Sequence, residues 1–335
     1  MYQKIYEFCK VRNEGNCFYN GSNPTPRVEY IINLCKKAGF SYELDVWEKR
    51  KTKREYTILD FPDLYQSISD DKIEAAEEVY NNFNSEGRKF LVDQGIDSYP
   101  EDLIPEEMDA LGDEYLEIFD RYDKELHDIL GEMGASNQPQ NNFYNIMLMG
   151  SSDKFVVAHH DIVNPDSDNA NDNSCSVINA LAIKSLRPDI NVVILDGEEL
   201  GGIGSTRLSD RIKSGEFPCK WILNLELTGS GGKNFFVGSM GTPLTDAIAE
   251  MFQCPIVKVP FNDSVIFKKY GIDSTVINPL PITNKQTPIV DKDGNYLDMG
   301  LLYNCHSMKD SLDTISTRDM EEFVNEVCLK IIDQL

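Results

Sequence analysis

The stretch Asp196-Gly197-Glu198-Glu199-Leu200-Gly201-Gly202-Ile203-Gly204-Ser205 decides how the rest of the chain is read. It follows Val192-Val193-Ile194-Leu195, a short β-branched apolar run that reads as a buried strand, and breaks into a glycine-rich turn at the strand's C-terminal end. In open α/β sheets, ligands bind at that end. Two adjacent glutamates in a partly desolvated crevice are costly without a balancing cation. A metal beside a general base accounts for both charges.

Working outward, residues 144–149 and 155–159 read as neighbouring strands joined by Gly150-Ser151-Ser152-Asp153. Residues 174–186 read as a helix with Val177, Ala180, Leu181 and Ile183 on its buried side. Further strands are expected at 221–226, 235–237, 256–259 and 274–278, and helices at 243–252 and 265–270. Residues 290–297 suggest a hairpin around Asp293-Gly294. A last helix, 318–334, puts Met320, Phe323, Val324, Val327 and Ile331 on one face. Upstream, a helix at 27–38 ends at Gly39, a strand follows at 41–47, and the basic run 49–54 reads as a solvated turn or a local ion-pair partner.

Residues 60–132 hold 23 Asp plus Glu against 5 Lys plus Arg, which places 18 of the 24 net negative charges there. An aromatic stripe, Met108, Leu111, Tyr115, Phe119, Tyr122 and Leu126, distinguishes this segment from a disordered acidic tail. Together with helical spacing over 70–83, it reads as a helical pair inserted into the α/β unit, the second helix starting at Pro105-Glu106-Glu107. The insertion is a packed surface element, a lid or a self-association contact. The expected organisation is one α/β domain over residues 1–335 carrying an acidic helical insertion at 60–135.

A charge of −24 argues against nucleic acid and anionic membrane surfaces as partners. No signal-like start and no run of membrane-spanning length is present, and the eight cysteines are scattered, so a reduced cytoplasmic protein with mostly buried free thiols is expected.

In Phe155-Val156-Val157-Ala158-His159-His160-Asp161, strand alternation points His159 and Asp161 the same way and His160 the other. Asp161 is thereby placed to fix the imidazole of a metal-binding His159. Asp172, in Asn171-Asp172-Asn173 ahead of the helix at 174–186, reads either as its cap or as a carboxylate that bridges two metals. Of Glu198 and Glu199, one can bind metal while the other takes a proton from water. Glu226 ends another strand, and His306 opens His306-Ser307-Met308-Lys309-Asp310. This mixture of imidazole and carboxylate donors without a thiolate cluster suits zinc.

The ordered series His159-x-Asp161, Asn171-Asp172-Asn173, Glu198-Glu199-x-Gly201-x-x-Gly204-Ser205, Glu226 and His306-x-x-x-Asp310 resembles metallopeptidase family 28 from about residue 144 to the C-terminus. That family contains co-catalytic zinc aminopeptidases, with glutamate carboxypeptidases and glutaminyl cyclases as relatives. The resemblance implies a mixed, mostly parallel sheet flanked by helices, of the zinc exopeptidase (phosphorylase/hydrolase-like) kind. It implies two zinc ions, for which other divalent metals can substitute. Asp172 would bridge them, His159 and Glu226 would complete one site, and Glu199 and His306 the other. Glu198 would be the general base, and Asp161 would orient His159. Asp263, in Phe261-Asn262-Asp263-Ser264, resembles the family's acid-bearing loop and would sit behind the ligands or on the substrate side.

The implied activity is an exopeptidase, foremost an aminopeptidase acting on peptide or aminoacyl substrates. Glutaminyl cyclisation, small-molecule amide hydrolysis and a silent binding member are the alternatives. Two departures from the family pattern stand out, Glu226 where aspartate is commoner and Ser176 where glycine is frequent.

Overall fold

Strand β3 (Lys154–His159) sits at the centre of the fold because the elements on both sides of it run parallel to it. β4 (Asn191–Leu195) pairs along one edge of β3 and β5 (Trp221–Leu225) along the other, with Val156 opposite Val192 and Leu223. Buried on both faces, these strands are the continuous apolar runs expected of parallel sheets. The computed structural model describes residues 1–11, 24–48, 70–100, 103, 105–130, 142–259, 261–279, 289–290, 296–298, 305–306 and 308–335. The basic run 49–54, Cys17 and the turn Asp293-Gly294 lie outside the described residues.

The sheet is mixed and eight-stranded, in the order β1-β2-β4-β3-β5-β8-β6-β7. β1 (Glu43–Glu48) and β2 (Asn142–Leu148) form an antiparallel edge, and β8 (Ser274–Pro279), β6 (Phe235–Gly238) and β7 (Ile256–Val257) extend the other. β9 (Ile289–Val290) and β10 (Tyr296–Asp298) pair separately, antiparallel.

The sequence reading made β2 and β3 neighbours, and the structure corrects it: β4 lies between them. The intervening turn is held open by Asn191 at the start of β4. Its Oδ1 accepts from Gly150 N at 2.8 Å, and its Nδ2 donates to Ser152 O at 2.7 Å. The polar turn therefore closes around the incoming strand instead of making a hairpin.

On one face the core is built by α1 (Ile5–Phe8), α2 (Pro26–Ala38), α6 (Cys175–Leu186), α8 (Pro243–Phe252) and the C-terminal helix. That last helix runs as α10 (Thr317–Phe323) through a wider turn at Val324–Cys328 into α11 (Leu329–Gln334). α7 (Ile203–Lys213) and α9 (Asp263–Lys269) cover the other face through Leu208, Ile212 and Phe267. Strand alternation divides the two: Val156, Val192 and Leu223 face the first core, Phe155, Val193 and Ile222 the second.

The acidic segment forms α3 (Asp70–Asp93), α4 (Pro105–Ala110) and α5 (Asp113–Leu130). α3 and α5 share their own apolar cluster, in which Phe83 meets Phe119 edge to face with ring centroids 5.5 Å apart. The second helix of the expected pair is split, because Gly112 takes φ 85 and ends the first turns after Pro105. Glu107 on α4 meets Lys269 Nζ at 2.8 Å at the end of α9. Seven cysteines are free thiols among the described residues, four of them buried. No helix among the described residues is long and apolar enough to cross a membrane.

Gly204 is where α7 approaches the sheet most closely. A Cβ there would stand 2.4 Å from Asp196 O and 2.6 Å from Asn145 Oδ1. Helix propensity alone favours Gly204→Ala by roughly 1 kcal/mol, whereas this contact predicts a net loss of about 1–3 kcal/mol from overpacking. Urea unfolding of the variant gives the sign.

Candidate metal centre

The C-terminal ends of β4, β3 and β5 lie side by side, and the chain leaves β3 for β4 on one side before crossing to β5 on the other. Such a reversal opens a crevice at the strand ends. His159 closes β3, Asp196 follows β4 and Glu226 follows β5, so three of the sequence motifs reach this crevice directly.

Their side chains converge. His159 Nε2 stands 3.3 Å from Asp172 Oδ1 and 3.5 Å from Glu226 Oε2. The opposite oxygen of Asp172, Oδ2, is 3.1 Å from His306 Nε2, which is also 3.1 Å from Glu199 Oε2. One carboxylate thus faces two imidazoles with its two oxygens. Three donor groups, His159–Asp172–Glu226, Asp172–Glu199–His306 and His159–Glu198–Glu199, each present ligand atoms within 4.8 Å of one another. Nitrogen and oxygen donors with such spacing fit a divalent ion such as zinc.

Local structure explains how each residue gets there. β3 ends at His159, yet Asp161 keeps the side expected from alternation, with Oδ1 at 3.3 Å from His159 Nδ1. Asp161 also accepts the backbone N–H groups of Glu198 and Glu199 at 3.2 and 3.0 Å, tying the glutamate turn to the end of β3. The turn is further clamped by Asn145 on β2, whose Oδ1 accepts from Asp196 N at 3.1 Å and whose Nδ2 donates to Gly204 O at 2.9 Å. His160 points away, as expected, and its Nε2 donates to Tyr144 O at 3.1 Å.

Asp172 does not cap α6. The N-cap position of that helix is Ser174, which makes no side-chain capping bond, and the Asp172 carboxylate turns into the crevice instead. Its backbone is fixed by Asp310, which accepts from Asn171 N at 2.8 Å and Asp172 N at 3.0 Å. Asp310 thus does for Asp172 what Asp161 does for Glu198 and Glu199. Next to it, Asn173 Nδ2 donates to Leu225 O at 3.0 Å and to Glu226 Oε2 at 2.7 Å. Asn224 Nδ2 donates to the other Glu226 oxygen, Oε1, at 3.2 Å. The longer Glu226 arm is accommodated by these two amides. Ser176, at a position where a hydroxyl replaces the frequent glycine, bonds Thr228 Oγ1 at 2.9 Å.

Sequence reasoning gave no role to Asp310, Asn145, Asn173 or Asn224. The doubled Asn-x-Asn around Asp172 and the Asp four residues after His306 were visible, but their partners lie far along the chain, most of them backbone groups.

Burial sets the charges. Burial alone lowers the His159 pKa, but Glu226 and the contacts with Asp161 and Asp172 hold it well above the usual range. His306 is likewise held high, against burial, by Glu199 and Asp172. Burial raises Asp172, yet the two imidazoles bring it below the usual carboxylate range. Glu198 is pushed well up by burial and, in part, by Glu199, with His159 opposing. Glu199 rises to about 7, again by burial. Asp263, fully buried at the start of α9, is raised to about 7 by burial, with His159 opposing and Glu226 and Asp161 adding.

The sequence profile of peptidase family M28 matches residues 146–331, which include His159, Asp172, Glu198, Glu199, Glu226 and His306. No curated protein matches the chain. Among solved structures, the aminopeptidase from Aneurinibacillus sp. strain AM-1 superposes with a TM-score of 0.56 at 14% identity, covering 99% of this chain and 92% of that one. A glutaminyl cyclase from Porphyromonas gingivalis gives 0.56 at 12% identity, over 100% and 97% of the two chains. BSAP, a zinc aminopeptidase from Bacillus subtilis, is 18% identical over 57% of this chain at a TM-score of 0.43, and the chain spans about half of its length, 50%. At these identities the likeness is one of fold.

The pH response of the metal-free protein follows from the shifts. An acid whose folded pKa is raised loses its stabilising proton as pH climbs from its unfolded value through the folded one, so Glu199, Asp263 and Asp310, each at about 7, disfavour folding above that point. The raised histidines contribute stability present below pH about 6.5 and lost above it, while lowered Asp172 contributes equally throughout pH 5–8. Thermal unfolding of metal-free protein should therefore show a lower midpoint at pH 8 than at pH 5.5.

Proposed function

Since the chain belongs to peptidase family M28, we propose that it is a zinc-dependent exopeptidase, foremost an aminopeptidase that removes N-terminal residues from peptides. The observation that carries this reading is Asp172, buried with its two oxygens turned to two different histidines, 3.3 and 3.1 Å away. A carboxylate shared in this way suits a pair of ions. His159, Asp172 and Glu226 would hold one, and Asp172, Glu199 and His306 the other. A divalent metal at such a position supplies Lewis acidity toward a carbonyl and makes a nearby water more acidic.

The remaining work falls to the chain's own groups. Among the described residues no hydrogen bond commits the Glu198 carboxylate, and it belongs to the group formed with His159 and Glu199. Burial holds its pKa high, which suits a base that must release its proton again. It accepts a proton from the attacking water and passes it to the departing amine. Asp161 keeps the His159 ring facing the crevice from its 3.3 Å contact at Nδ1. Asp310 holds the Asp172 backbone. Asp263 bears on the charge of Glu198 from within α9, and its full burial suits a place behind the ligands better than direct substrate contact.

A second reading, glutaminyl cyclisation with one ion, is favoured by Glu226, whose two oxygens already accept from Asn173 and Asn224. Those bonds compete with a metal at the His159 side. Product analysis on peptides with N-terminal glutamine separates the readings: hydrolysis releases the amino acid, cyclisation releases ammonia and leaves the peptide intact. The acidic segment 60–132, which carries 18 of the 24 net negative charges, favours substrates with free amines or cationic side chains.

Two outcomes are expected. Purified protein binds up to two zinc ions and frees amino acids from aminoacyl substrates, which metal analysis and mass spectrometry of a mixed-peptide digest read together. Glu198→Gln retains metal but loses at least about 100-fold in turnover, the scale of a general base; unchanged turnover would rule out its role.

A further inference from the structure

Five segments meet at the crevice: the end of β3 with His159, the glutamate turn after β4, residues 170–174 with Asp172, the end of β5 with Glu226, and the segment bearing His306. Single polar side chains tie them in pairs. Asp161 joins the end of β3 to the glutamate turn, Asn173 joins 170–174 to the end of β5, and Asp310 joins 170–174 to the segment bearing His306. The remaining adjacent pair, the end of β3 and 170–174, is tied by a residue from far outside the region that matches the family.

That residue is Arg27, at the start of α2. Thr25 caps this helix by accepting from Val28 N, and Pro26 occupies its first position, so the backbone entering Arg27 is fixed. Arg27 is 0% exposed. Its Nε donates to His160 O at 3.1 Å and its Nη2 to Ser174 Oγ at 2.8 Å. Its guanidinium carbon stands 4.1 Å from the centre of the Phe8 ring, on α1.

A buried guanidinium is costly to desolvate and persists only where its bonding is well made. Here the two acceptors adjoin two of the three donors in the group His159–Asp172–Glu226. His160 follows His159, and Ser174 lies two residues after Asp172. The planar fork spans both segments at a fixed width. We infer that Arg27 is a positioning residue: by bridging His160 O and Ser174 Oγ it sets the separation of His159 from Asp172, and so the affinity of the crevice for a divalent cation. Its bonds go to residues next to the two donors. The N-terminal helices α1 and α2, which carry Phe8 and Arg27, thereby become part of the site's framework.

This inference rests on the metal reading above, and the test separates the two. Zinc binding to metal-free, full-length protein is measured by calorimetry for the wild type, Arg27→Lys, Arg27→Met and Ser174→Ala, with thermal unfolding of each metal-free protein alongside. Arg27→Lys keeps the charge and loses the fork, so its zinc Kd rises about tenfold or more, the scale seen when groups supporting a ligand are removed. Ser174→Ala, which leaves the guanidinium in place with one bond fewer, shifts Kd the same way by less. The visible absorption of cobalt(II)-loaded Arg27→Lys differs from that of the wild type, a signature that loss of stability alone does not produce. If Arg27→Met fails to fold, Arg27→Lys and Ser174→Ala decide. A wild type that binds no zinc overturns the metal reading and this inference with it. A wild type that binds zinc, with unchanged Kd and cobalt spectrum in folded Arg27→Lys and Ser174→Ala, overturns this inference alone.

Discussion

Seven carboxylates, Asp161, Asp172, Glu198, Glu199, Glu226, Asp263 and Asp310, lie buried around one crevice, and their mutual repulsion is the constraint on which the surrounding structure depends. Ionised together in a medium of low polarity they would not remain there. The fold answers in two ways. Asp161 and Asp310 spend their charge on pairs of backbone N–H groups, which also fixes the loops. Asp172, Glu199 and Glu226 face His159 and His306 and hold their pKa values well above the usual range, which favours the protonated rings. Protons thus occupy the electrostatic place of cations.

The scaffold delivers these groups through a simple device. Parallel strands β4, β3 and β5 end at the same edge, and the reversal of strand order about β3 leaves a gap there. What parallel strands cannot do is fix the loops that follow. That task falls to buried polar side chains reaching across sequence: Asn145 to the glutamate turn, Asn173 to the end of β5, Arg27 to the two segments on either side of His159 and Asp172. The two apolar cores on either side of the sheet give these bonds a rigid base.

This division explains what the sequence made legible. Apolar runs with strand or helix spacing located nearly every described element of the α/β region, because burial on a regular lattice imposes a period. Donor residues stood out because His159, Asp172, Glu198, Glu199, Glu226 and His306 occur at strand ends and turns, in an order shared with a known family. Strand order was less accessible: the turn after β2 has hairpin composition, and the groups that hold it open, Asn191 among them, lie some forty residues on. Asp172 taken alone read better as a cap, since capping and ligation call for the same carboxylate. Arg27 gave no signal, being one cation in an amphipathic helix, 133 residues from His160. Long-range bonds to backbone carbonyls leave no periodic trace.

The central claim is that protons on the buried histidines and acids hold the place of a divalent cation. Calorimetric titration of the metal-free protein with zinc at pH 7, repeated in buffers of different ionisation enthalpy, counts the protons expelled on binding. With the pKa values of both imidazoles held well up and Glu199 raised to about 7, zinc should bind and release more than one proton per chain. Zinc binding without proton release, or no binding at all, would contradict the account.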